Sequence, residues 1–121
     1  MKNNIALEIT KGGHTTGVVI DMVKAATMYT VLSALLHGFD VQIVDIAPRY
    51  GAKADPRTTL DSVFNMVEDA FGVKISFQVF PLLKGGPKFN TDFGSYETAK
   101  DMATLWGSQF KTPYGISSKV E

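Results

Sequence analysis

Thr10-Lys11-Gly12-Gly13-His14-Thr15-Thr16-Gly17-Val18-Val19-Ile20-Asp21 decides how the rest of the chain is read, because it joins a short apolar strand to the most apolar segment of the protein. Gly12, Gly13 and Gly17 let the backbone adopt φ > 0 and approach a bound group closely, while His14, Thr15 and Thr16 supply side-chain donors and acceptors. Two readings compete. In the first, Gly17 to Asp21 is a second strand folded back on the first as a hairpin, and a helix begins near Asp21, a good N-cap residue. In the second, the helix starts near Thr16 and runs to His37, giving strand, glycine loop, helix and strand in the βαβ style. Only in this second reading do free helix N–H groups and the positive end of the dipole face the loop and favour a phosphate or carboxylate. The β-branched run Val18, Val19, Ile20 favours the hairpin. A Gly-rich turn without any ligand stands beside both as the plainer reading.

Upstream, Ile5, Leu7 and Ile9 alternate with Ala6, Glu8 and Thr10, the period-two signature of a strand with one face in a core and one less apolar face. Downstream, Met22, Val23, Ala26, Tyr29, Leu32 and Leu36 recur at helical spacing up to His37, with Gly38 as the stop. Met28, Val31 and Leu35 lie off that face, so this helix is expected to be covered on two sides, by the sheet and by a neighbouring helix or a second subunit. Asp40 to Ile46 reads as an interior strand ending at Pro48.

Arg49 to Thr59 is a polar connection with Arg49, Lys53 and Arg57, a second candidate ligand loop. Thr58 or Thr59 caps a helix through Leu60, Val63, Phe64, Val67 and Phe71 that stops at Gly72. Val73 to Val79 alternates as a strand, Phe80 to Gly94 reads as one long loop, and Ser95 caps a last helix carrying Ala99, Met102, Leu105, Trp106 and Phe110 before a Pro- and Gly-containing tail. No internal repeat is visible. The expected architecture is α/β, favouring an α+β two-layer sandwich: a small sheet of about four strands with about three helices packed mainly on one face, in a single domain spanning residues 1–121.

Composition bounds the function. The 121 residues are 45% hydrophobic and 20% charged, which suits an ordinary core. Twelve basic and twelve acidic side chains cancel, so there is no long-range positive field for a nucleic-acid backbone, and no nucleic-acid partner is expected. The cancelled charge also permits self-association, and a sheet this small is expected to complete itself as a homo-oligomer. The absence of cysteine excludes disulfides, thiolate metal sites and thiol nucleophiles and suits a cytoplasmic location. No signal-peptide hydrophobic region opens the chain. The run Gly17 to Leu36 is broken by Asp21, Lys24, Thr27, Thr30 and Ser33, so no membrane partner is expected.

The candidate ligand-binding set is Gly12, Gly13, Thr15, Thr16, Asp45, Arg49, Tyr50 and Lys84. Asp45 ends a strand, where ligands gather in α/β sheets, and would accept from a ribose hydroxyl. His14 is the candidate catalytic acid or base, since an unperturbed pKa of about 6.5 permits both charge states near neutrality. Glu8, Asp21 and Asp45 could become its carboxylate partner through folding. His37 suits a helix C-terminus, and two isolated histidines make no zinc motif, so no metal or cofactor is expected. Lys84-Gly85-Gly86-Pro87-Lys88 reads as a surface loop or as a lid with two ammonium groups, and Tyr50, Phe89, Phe93, Tyr96 and Trp106 as stacking surfaces for a planar group.

Gly12-Gly13-His14-Thr15-Thr16 resembles the GGHTT loop of a class of nucleotide-sugar N-acetylglucosaminyltransferases, although 121 residues are too few for their two-domain catalytic architecture. The order helix, Gly38, Val41 to Ile46, helix, Val73 to Val79 resembles small DsrE-type sulfur-relay subunits; thiol-dependent relay is excluded without cysteine. His14-Thr15-Thr16-Gly17-Val18-Val19 resembles a short His-Thr-x-Gly-hydrophobic-Val run of phage enzymes that cleave S-adenosylmethionine, which are small oligomeric α/β sandwiches. The functional expectation is a nucleotide- or nucleoside-type polar metabolite held at the Gly/His/Thr loop, with catalysis open. A lyase acting on S-adenosylmethionine and a structural assembly subunit without a ligand are the alternatives.

Overall fold

The structure is a computed structural model that describes residues 4–44 and 54–121. They fall into two compact units, Met1–Val73 and Lys74–Glu121.

In the first unit, β1 (Asn4–Lys11) and β2 (His14–Asp21) form an antiparallel hairpin, followed by α1 (Met22–Leu35) and β3 (Asp40–Val44). The hairpin reading of Val18 to Ile20 holds. β3 lies antiparallel on the other side of β1, giving strand order β2-β1-β3. α1 starts where Asp21 in extended backbone accepts from the Lys24 N–H at 2.9 Å, and after it Gly38 takes φ +85°. α2 (Leu60–Phe71) begins with a capping box in which Thr59 and Ser62 each bond the other's backbone N–H, and ends on Gly72 in left-handed backbone. It packs on β2, whereas α1 meets all three strands.

The alternation in β1 anticipated one buried face, but a central strand is enclosed on both. Leu7 and Ile9 are fully buried on one side, Ala6 on the other, and Glu8 is only 9% exposed.

In the second unit, β4 (Ile75–Pro81) is central, flanked by β5 (Asp92–Phe93) and β6 (Tyr114–Val120), both antiparallel to it, with α3 (Tyr96–Phe110) connecting them. Ile75, Phe77 and Val79 form the buried face, and the Phe77 ring meets Tyr96 edge-on at 5.9 Å. Burying a side chain of this size contributes roughly 1.5–3 kcal/mol.

The described strands therefore form two three-stranded antiparallel sheets in place of the expected single sheet of about four strands. The difference lies in β5 and β6, which fall in the segments expected as a loop and a tail. In β6, Tyr114, Ile116 and Val120 alternate with Gly115, Ser117 and Lys119, a period-two pattern that Gly115 and the two serines weaken; its partner β4 supplies the pairing. Both units place strand, strand, helix, strand in that order with the first strand central. Their central strands match position for position, Ile5-Ala6-Leu7-Glu8-Ile9 against Ile75-Ser76-Phe77-Gln78-Val79, a repeat of pattern rather than of residues.

Candidate functional site

The glycine stretch is a two-residue turn. Gly12 (φ +61°) and Gly13 (φ +79°) satisfy the demand of a type I′ hairpin for φ > 0 at both central residues, and Lys11 pairs with His14 across it. Open space surrounds both glycines, so the backbone angle rather than a close approach requires them. α1 begins only after β2, at the far end of the hairpin, so its N-terminus does not face this turn and the dipole-assisted phosphate argument of the βαβ reading falls away.

Strand alternation then separates the expected site residues. His14 and Thr16 share a face with Lys11, while Thr15 points to the other, its hydroxyl 2.9 Å from that of Thr10. His14 is exposed and its ring stands edge-on to Phe71 at 5.2 Å; Phe71 meets Phe39 at 5.0 Å, and the Lys11 ammonium lies 4.8 Å above the Phe39 ring. These contacts moor the hairpin to the C-terminal end of α2. Among the described residues no carboxylate pairs with His14. Glu8 projects from the opposite face of the sheet, and Asp21 caps α1 at the far end of β2.

Asp45, Arg49 and Tyr50 lie outside the described residues. Of the second candidate loop, Arg57 donates to Asp55 from its side chain at 3.1 and 3.3 Å and from its backbone N–H at 2.9 Å. These side-chain and backbone hydrogen bonds hold the Asp55 carboxyl below the usual carboxylate range, and the same contact raises the Arg57 guanidinium. The Lys24 ammonium donates to the carbonyls of Pro56 and Thr58 at 2.9 and 3.1 Å, tying this loop to α1.

A cleft of about 710 Å³ lies in the second unit, lined by Gln78, Val79, Phe80, Ser117 and the segment 88–92. Its floor is the polar face of β4. Gln78 sits opposite Asp92 on β5 and Ser117 on β6, and its amide nitrogen donates to Asp92 Oδ1 at 3.0 Å and to Ser76 Oγ at 3.3 Å. Ser117 Oγ lies 3.5 Å from Gln78 Oε1, at the limit of a hydrogen bond. Both amide hydrogens are thus spent on the floor, and Asp92 Oδ2 has no partner among the described residues.

The wall is anchored. Tyr114 Oη donates to the Pro87 carbonyl at 2.7 Å, and the Phe89 ring stacks on Trp106 at 4.3 Å and approaches Phe110 at 6.0 Å. Gly86 sits so close to its neighbours that a Cβ there would lie 2.8 Å from Pro81 Cβ and 2.9 Å from Thr112 Cγ2. The Lys84–Lys88 loop is therefore a seated wall. Lys88 lines the cleft, whereas Lys84 sits exposed on the loop and is not among the lining residues.

Gln78, Asn90, Asp92 and Ser117 were missed in the sequence. Only the polar alternation in β4 and the flagged Lys88 and Phe89 pointed there, because Asp92 and Ser117 reach Gln78 across 14 and 39 residues of chain. Among the described residues no three His, Cys, Asp or Glu side chains are grouped to hold a metal ion, and no helix is long and apolar enough to cross a membrane. No protein-family model, curated protein or solved structure matches this chain.

Proposed function

We propose that the protein binds a nucleoside-type polar metabolite, and that the cleft over the polar face of β4 is where it does so, in place of the Gly/His/Thr turn. The observation that carries this reading is the pre-ordered floor: Gln78 fixes Asp92 with one carboxylate oxygen left over, beside the Phe80 and Phe89 side chains. A carboxylate of this kind accepts from vicinal sugar hydroxyls, and an aromatic ring offers a face to a base. A site held in shape before binding also spends less affinity on ordering itself.

Trp106 is the single tryptophan and touches the cleft-lining Phe89, so its fluorescence reports occupancy. Titration with adenosine, uridine and S-adenosylmethionine is expected to change that signal and raise the melting temperature for at least one of them, and Asp92→Asn is expected to weaken the response. No response to any of the three overturns the reading.

The assembly-subunit reading is favoured by one observation. Val23 is 81% and Met22 50% exposed on α1, and the helix's one charged side chain, Lys24, is turned to the Pro56 and Thr58 carbonyls. The hydroxyls of Thr27 and Thr30 bond back to the carbonyls of Val23 and Ala26, which leaves this surface neutral. Native mass spectrometry separates the two: a homo-oligomer carrying no small molecule and unresponsive to the panel supports assembly alone.

A further inference from the structure

We infer that the occupant of this cleft is a nucleoside monophosphate, its phosphate at the wall formed by Lys88, Asn90 and Thr91 and its sugar hydroxyls at Asp92; the inference rests on the cleft reading above. The groups lining the cleft are polarised. Along residues 88–91 the free side-chain groups include an ammonium, an amide and a hydroxyl, and among the described residues none of the three is engaged within the chain. At the next residue the cleft turns acidic with Asp92, whose Oδ1 is held by Gln78.

Lys88 is exposed, and its backbone is held through its neighbours. The carbonyl of Pro87 is held by Tyr114 Oη at 2.7 Å, and the ring of Phe89 by Trp106 at 4.3 Å. The Lys88 backbone is held on both sides, and its exposed side chain lines the cleft with the ammonium unpaired among the described residues. An anion with several acceptor oxygens satisfies the ammonium, the Asn90 amide and the Thr91 hydroxyl together. The same anion is repelled by Asp92, which fixes the direction in which the ligand lies. A ligand anionic at one end and hydroxylated at the other, with a planar part for Phe80 or Phe89, is a nucleotide.

The experiment titrates Trp106 fluorescence with uridine, uridine monophosphate, adenosine, adenosine monophosphate, ribose 5-phosphate and inorganic phosphate, using the full chain and its Lys88→Met variant. The expected result is a preference of about tenfold for a monophosphate over its nucleoside in the wild type, the scale of a hydrogen bond to a charged group. That preference should fall to near unity in Lys88→Met and shrink with added salt. Equal affinity for nucleoside and monophosphate overturns the inference while leaving the nucleoside reading standing. A preference that survives Lys88→Met overturns it as well, as does ribose 5-phosphate or inorganic phosphate binding as tightly as the nucleotide. If neither nucleosides nor nucleotides bind, both readings fall. An unchanged melting temperature for Lys88→Met shows that the variant reads the site and not the fold.

Discussion

Gly86→Ala tests whether the wall of the cleft is seated as described. No left-handed φ occurs at Gly86, so alanine is allowed there by the backbone and the cost is steric. The added methyl would sit 2.8 Å from Pro81 Cβ, 2.9 Å from Thr112 Cγ2 and 3.3 Å from Tyr114 Oη, where carbon atoms ordinarily rest about 3.5–4.0 Å apart. Pro81 Cβ belongs to a ring and cannot swing away. Overpacking of this kind costs about 1–3 kcal/mol. Restricting the unfolded chain returns about 0.4–1 kcal/mol. The net destabilisation is about 1–2 kcal/mol, a fall in melting temperature on the order of 5–10 °C for a small domain. Gly94→Ala is the matched control: it too lacks a left-handed φ and has nothing within 4 Å of the added carbon, so only the unfolded-state gain applies. Thermal and urea unfolding followed by Trp106 fluorescence measures both. Gly86→Ala as stable as Gly94→Ala would refute the seated wall and, with it, the held backbone on either side of Lys88.

Three further outcomes follow from local geometry. Gly13→Ala, at φ +79°, is expected to lose about 1–2 kcal/mol, while Gly13→Asn loses less because asparagine visits left-handed backbone; circular dichroism in urea orders the two. Asp21→Ala removes the acceptor for the Lys24 N–H and is expected to cost about 1 kcal/mol in the same assay, with Asp21→Ser close to wild type. Asp55 has its pKa lowered in the folded protein, so its pairing with Arg57 stabilises above the ordinary carboxylate range near 3.9 and is lost as pH falls through the lowered value. Asp55→Asn should therefore lie slightly below wild type in urea midpoint at pH 7 and converge with it in strong acid; a gap that widens in acid contradicts the sign.

The helices were legible because each carries its own punctuation. Asp21, Thr59 and Ser95 are found as N-caps, and Gly72 closes α2 in left-handed backbone, all signals that act within three or four residues. The hairpin was legible from the β-branched run Val18 to Ile20, but the two-residue turn was not: the second strand is expected from Gly17, and the structure starts it at His14. The functional meaning attached to that turn was not settled by the same residues, because strand alternation sends His14 and Thr15 to opposite faces only once their pairing with β1 is known.

What the sequence by itself determined is the set of segments, their caps and turns, and the neutral, cysteine-free composition that narrows the chemistry. What only the tertiary structure decided is which strands become central and which polar groups meet. β6 is a strand because β4 presents it a ladder from Pro81 to Ile75, and Gln78 becomes the middle of a polar row because β5 and β6 arrive on either side of it. Such pairings join residues far apart in the chain, and the alternation within one segment does not name its partner, so they are fixed by the closing of the sheet.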